Sequence, residues 1–170
     1  MKRLNFFLIT LFLTPPLYAD RRGDQGLGIM LGNPTGLSAK FWMDDLWAID
    51  GAIGIDRSEF DVHLTILRHD FIWVNRIGNK WGWFQRLTTE GDLPYYFGAG
   101  PRILFEDKEE IGIRFPVGLS YLPHQSPWEI FLEVAPVFRL TPSTGFNGDF
   151  SVGVRYYFQA IRPRVGGVNP

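Results

Sequence analysis

The sequence predicts an all-β fold, an eight-stranded, antiparallel, up-and-down transmembrane β-barrel with a polar, charge-filled interior. Two observations carry that prediction. Apolar and polar residues alternate with a period of two rather than 3.6 in about eight segments separated by turn residues. The polar face of those segments holds long charged side chains of both signs, which suits a barrel of this size because its interior is filled by side chains. An exported leader precedes the segments and agrees with a membrane destination.

The leader comes first in the chain. Lys2 and Arg3 precede an apolar run from Leu4 to Leu13, followed by Pro15, Pro16 and Leu17-Tyr18-Ala19. This is the arrangement of a signal peptide cut after Ala19, and its apolar run is shorter than the ~20 residues a spanning helix needs. Residues 20–25 read as a short N-terminal segment, 26–158 as the barrel, and 159–170, rich in Pro and Gly, as a disordered periplasmic tail.

The strands follow in order. The first runs from Leu27 to Gly32 and turns at Asn33-Pro34-Thr35-Gly36; the second, Leu37 to Met43, turns at Asp44-Asp45. Trp47 to Ile55 and Phe60 to about Phe71 form the third and fourth, and a long connection leads to the fifth, Tyr95 to Phe105. The sixth is Ile111 to Tyr121, the seventh Trp128 to Leu140 and the eighth Asp149 to Phe158. Pro101, Pro116 and Pro136 fall inside these segments, where each removes a ladder hydrogen bond, and are read as bulges or bends. The connection from Ile72 to Pro94 is long for a periplasmic turn; "FIWVN" and "WGWF" within it leave open an extra hairpin that would change the strand count.

Each segment has two faces. Leu37/Ala39/Phe41, Ile49/Ile53/Ile55, Val62/Leu64/Ile66, Ile111/Ile113/Phe115/Val117/Leu119 and Ile130/Leu132/Val134 form an apolar set that ends with Val152 and Val154. The opposite set carries Lys40, Arg102, Arg114, Arg139 and Arg155 against Asp50, Asp61, Glu129, Glu133 and Asp149. A soluble sandwich would turn this second set to water. A barrel would enclose it, and a balanced set can pair off where an unpaired buried charge costs several kcal/mol. Glycines interspersed on the same face leave room for the arginines. The expected lumen is a plug of charge pairs.

Tryptophan favours the barrel. With both ends of the chain in the periplasm, all six tryptophans fall at the periplasmic end, where amphipathic rings suit a membrane interface. The interface aromatics assigned on this basis are Trp42, Trp47, Trp128, Tyr95 and Tyr121.

Composition excludes other classes. A net charge of -1 gives no basic footprint for nucleic acid, and the absence of cysteine removes disulfide scaffolds and thiolate metal sites. "LGIMLG" is followed by no helix and so is not a dinucleotide fingerprint; Arg22-Gly23-Asp24 beside the cleavage site reads as a chance tripeptide.

The segments "GLGIMLGNPTGLSAKFWM", "LPYYFGAGPRI", "RFPVGLSYL", "FLEVAPVFRL" and "VGVRYYF" together resemble a family of small outer-membrane barrels similar in architecture to the OmpA and OmpW membrane domains. The resemblance covers Gly26 to Phe158. It implies an outer-membrane location, contact with outer-membrane lipid and lipopolysaccharide, and handling by periplasmic chaperones and the barrel-assembly machinery. It also implies that Ser151, Gly153, Tyr156 and Phe158 act as an assembly signal, here internal because "QAIRPRVGGVNP" follows it.

Some barrels of this size modify lipids, which requires a catalytic set of side chains. Asp61, His63 and Thr65 share a strand face, but alternate positions stand ~7 Å apart, too far for direct hydrogen bonding without bending, and they face the lumen. His69 and His124 sit near turns without clustering. The reading is therefore a non-enzymatic, monomeric barrel with a structural or membrane-integrity role, no metal and no cofactor. The alternatives are a barrel enzyme acting on lipid A or phospholipid, a narrow channel or ligand-binding barrel, and a secreted ligand-binding sandwich.

Overall fold

The computed structural model describes residues 22–56, 59–72, 74, 82–105 and 109–158. The expected leader and tail, together with Trp73, Trp81 and the Trp83 side chain, lie outside the described part. The strands are β1 (Gln25–Asn33), β2 (Gly36–Trp42), β3 (Trp47–Asp56), β4 (Glu59–Asp70), β5 (Gly91–Asp92), β6 (Tyr95–Phe105), β7 (Glu110–Arg114), β8 (Val117–Pro123), β9 (Trp128–Thr141) and β10 (Gly145–Phe158), and the helix α1 (Gly82–Glu90) precedes β5.

These segments make eight staves. β7 and β8 are one stave in two pieces, since both pair antiparallel with β6 on one side and β9 on the other. Each stave pairs with the next in chain order, and β10 pairs with both β9 and β1, so the sheet closes on itself without an edge. The sandwich is thereby excluded.

Of the three strand prolines only Pro116 interrupts a stave, at the break between β7 and β8. There the Pro116 carbonyl accepts from Gly98 N–H (2.9 Å), while Phe115 N–H donates to the Pro136 carbonyl (2.9 Å). Pro101 and Pro136 lie within continuous strands, both on the outer face. A register shift at Ile111/Gly112 against β9 supplies a bulge.

Two readings of the connections change, and a third, the turn at Asp44, holds. Among the described residues of 72–94 there is no extra hairpin; α1 occupies Gly82–Glu90, braced by an Arg86–Glu90 pair (3.1 Å) at helical i, i+4 spacing and by Thr88 and Thr89 hydroxyls donating to the Gln85 carbonyl. β5 then ties this connection to Leu122–Pro123 of β8. The connection expected over 141–148 is mostly strand, because Gly145–Gly148 pair with Pro136–Arg139 and only 142–144 turn. The turn after β2 is fixed by Asp44, whose Oδ1 accepts from Leu46 N–H (2.8 Å) and Trp47 N–H (2.7 Å). Those two donors hold its carboxyl below the usual range.

The alternation sorts the walls. Outside stand Leu27, Ile29, Leu37, Ile53, Leu64, Ile66, Val117, Ile130, Leu132, Val134, Val152 and Val154 among others. Inside, buried polar and charged residues outnumber the apolar ones, and the small apolar clusters are Met30/Ala52/Phe131 and Trp42/Ala48/Leu122. The protein is inverted relative to a water-soluble domain, as a membrane barrel with a polar lumen requires.

Candidate functional site

Because side chains alternate along a strand, one inward residue in every two aims at the barrel axis. Lys40 from β2, Asp50 from β3, Glu129 from β9 and Arg155 from β10 converge there through closure of the sheet. Sequence separations of 89 and 105 residues in the Lys40–Glu129 and Arg155–Asp50 contacts show that no local motif could have assembled them.

Glu129 is the hub of the first half of the lumen. Its Oε1 accepts from Lys40 Nζ (2.8 Å) and from the Ser120 hydroxyl; its Oε2 accepts from Arg155 Nη1 (3.2 Å) and the Tyr157 hydroxyl (2.6 Å). Arg155 also donates from Nη2 to Asp50 and from Nε to Ser38 Oγ (2.9 Å), and its guanidinium lies 3.8 Å from the Phe131 ring centroid. Lys40 Nζ sits over the Trp42 ring (4.9 Å) and the Tyr96 ring (5.2 Å). Every charge here has a partner of opposite sign, the condition under which burial is tolerated.

The second half is built on Arg102 and Arg114. Arg114 donates from Nη2 to Glu133 Oε1 (2.7 Å) and from Nε to Asp149 Oδ2 (3.3 Å). Arg102 bridges Asp149 (3.7 Å) and Asp61, donating to the latter from Nε. Each lumen arginine faces an inward glycine on a neighbouring strand: Arg155 opposite Gly28, Arg114 opposite Gly100, Arg102 opposite Gly112.

The strand-four residues correct one expectation. His63 Nδ1 and Asp61 Oδ1 lie 3.0 Å apart, so the two side chains lean together across the strand spacing and do hydrogen-bond. Thr65 does not complete the set, because its hydroxyl donates to the Asp50 carbonyl (3.4 Å), and Arg102 occupies the other Asp61 oxygen. The pair is one more node of the network. Among the described residues no three His, Asp or Glu side chains gather as a metal site.

Arg139 stands apart from the other charges. It lies on the inward parity but at the barrel rim, bonded to Glu110 (3.0 Å) and the Ser143 carbonyl (2.9 Å). The buried interior thus holds Lys40, Arg102, Arg114 and Arg155 against Asp50, Asp61, Glu129, Glu133 and Asp149, with the His63 imidazole seated on Asp61.

Trp42 is not an interface aromatic. It is 1% exposed, because it shares the inward parity of Lys40, and it packs on His69 with ring centroids 4.3 Å apart. His69, expected near a turn, is buried beside Tyr96 (5.3 Å) for the same reason. His69 and Tyr96 went unrecognised as lumen residues, although parity with Thr65 and Arg102 marks them. Trp47 and Trp128 do face outward, at 41% and 46% exposure, with Tyr95 and Tyr121 half-buried on the outer face. Trp128 stacks edge-on with Tyr156, which meets Phe158 in the same way (both 5.1 Å). Ser151 and Gly153 face inward on that strand. At the opposite rim the outer rings are phenylalanines, with Phe60 against Phe105 (5.9 Å) and Phe138 against Phe146 (5.0 Å).

A measurable consequence follows for the second half of the lumen. Glu133→Ala removes the 2.7 Å partner of Arg114 and should lower stability by roughly 3–5 kcal/mol, read from the denaturant midpoint of the refolded barrel. A loss below ~1 kcal/mol, the scale of solvated pairs, would mean that this face is wet.

No protein-family model and no curated protein matches the sequence. Among solved structures, the N-terminal β-barrel domain of Pseudomonas aeruginosa OprF is similar over 82% of this chain and 100% of that domain, with 13% identity and a TM-score of 0.56. Ail, the attachment invasion locus protein of Yersinia pestis, matches over 81% of this chain and 99% of its own at 14% identity and a TM-score of 0.41. The OprF likeness is one of fold, that of a β-barrel.

Proposed function

We propose that the protein is an integral outer-membrane barrel with a structural or membrane-integrity role, that it catalyses no reaction, and that its lumen is closed by charge pairs. The observation that carries this reading is Glu129, whose two oxygens are occupied by Lys40, Arg155, Ser120 and Tyr157 in the buried interior of the barrel. A barrel of eight staves has room for side chains and little else. Against the lipid-modifying enzyme stands the Thr65 hydroxyl, turned to a backbone carbonyl and away from the Asp61–His63 pair. Outer-membrane lipid and lipopolysaccharide are the partners this role implies, with chaperones and assembly machinery acting during biogenesis and a monomer as the working form.

The test combines two measurements. The folded protein should fractionate with the outer membrane and change gel mobility on boiling. In planar bilayers it should pass little or no current. Large, stable single-channel steps would overturn the plug and favour a channel.

A further inference from the structure

The inward charges draw attention away from the outer wall, where the distribution of charge is far more uneven. At the outward-facing positions of the eight staves, the charged side chains among the described residues are Arg68 and Asp70, both on β4. All other outward positions are apolar, glycine or proline, apart from Gln25 and Asn33 at the two ends of β1. Asp70 is turned toward the following connection, accepting from Ile72 N–H at 2.9 Å. Arg68 is exposed, and no hydrogen bond or ion pair holds it among the described residues.

Its neighbours are specific. In the sheet register Arg68 lies opposite Trp47 on β3 and opposite Phe97 on β6, and those rings are 41% and 42% exposed on the same wall. Directly paired residues across antiparallel strands have Cβ atoms ~5 Å apart, so Arg68 has an aromatic residue at its own register on each neighbouring strand. Trp47 is the first residue of β3, and Arg68 is two residues from the end of β4, ~7 Å of strand. That is within reach of an arginine side chain, whose stem lies along apolar surface while its head seeks the polar boundary. A tryptophan at this level marks the interface between hydrocarbon and headgroups.

We propose that Arg68, between Trp47 and Phe97, is a binding site for the phosphate of a glycerophospholipid in the leaflet that meets this end of the barrel. A cation with no protein partner on an apolar wall is costly unless an anion meets it there, and the phosphodiester is the anion that the boundary supplies. The planar guanidinium can bond two phosphate oxygens at once, a geometry an ammonium does not reproduce. The rings would hold the glycerol and upper acyl segments beside it. The proposal rests on the membrane setting proposed above, and it names a partner for one point of that surface.

Native mass spectrometry of the full chain, released from detergent in the presence of phosphatidylglycerol or of diacylglycerol with the same tails, tests it. Wild type should retain phosphatidylglycerol and not diacylglycerol. Arg68→Gln should cut retention about tenfold, and Arg68→Lys should recover only part of it. Inorganic phosphate at equal concentration should not displace the lipid. Equal retention by wild type and Arg68→Gln, or displacement by inorganic phosphate, would overturn the lipid site. Heat-modifiability of each variant is read in parallel: it reports insertion and folding, so failure of the membrane setting is distinguishable from failure at Arg68.

Discussion

Glu129→Ala is expected to be the most damaging of the charge-removing substitutions. Breaking one buried ion pair by deleting a partner costs about 3–5 kcal/mol, because the other charge stays behind in a poorly solvating interior. Here two cations, Lys40 and Arg155, lose the same carboxylate, and the Ser120 and Tyr157 hydroxyls lose their acceptor. Arg155 keeps Asp50, whereas no second ion pair of Lys40 is found among the described residues. The loss should therefore exceed that of Glu133→Ala in the same denaturant titration. Pairing the change with Lys40→Met should recover part of it, a non-additivity that identifies the contact itself as the source. If Glu129→Ala instead lay within ~1 kcal/mol of wild type, water would have to be entering the network and the plug would be leaky.

Gly28→Ala is expected to match that effect by a different route. A methyl group built on Gly28 would overlap the Val154 carbonyl oxygen and crowd the Arg155 Cα (2.6 Å), both backbone atoms of the neighbouring strand. Overpacking that a side chain can relieve costs about 1–3 kcal/mol, but a backbone carbonyl cannot rotate aside without breaking the ladder. The variant should refold poorly, visible as a loss of the heat-shifted band. Gly148→Ala provides the control, since nothing lies within 4 Å of that position, and it should refold like wild type.

The fold was legible because the strand period is short and strict. In "SVGVRYYF" the positions of Ser151, Gly153 and Arg155 against Val152 and Val154 fix which face looks inward, and the same reading placed Lys40, Asp50 and Glu129 inside. Where residue chemistry was allowed to outweigh parity, the reading failed. Tryptophan's preference for the interface draws Trp42 there, although it stands two residues from Lys40; His69 does lie near a turn, but its inward parity, four residues from Thr65, is the signal that places it in the lumen. Arg139 has inward parity and yet meets Glu110, because a residue near a strand end reaches the rim before the axis. Helix α1 was missed for a different reason. Nine residues give only about two and a half turns of period. The partners of each charge were illegible, since register between strands a hundred residues apart is written in their complementarity and not in either one.

That complementarity is clearest where the first and last staves meet. Down the inward face of β1 run Gly26, Gly28, Met30 and Gly32; against them on β10 stand Tyr157, Arg155, Gly153 and Ser151. Small meets large, then large meets small. Sliding β10 by two residues in one direction would drive Arg155 into Met30, and in the other would set Gly28 against Gly153 and leave a hole. A shift by one would turn the charges into the lipid. The seam therefore works as a keyed lock with one seating, so that closure, which joins the two staves farthest apart in sequence, has a single alignment.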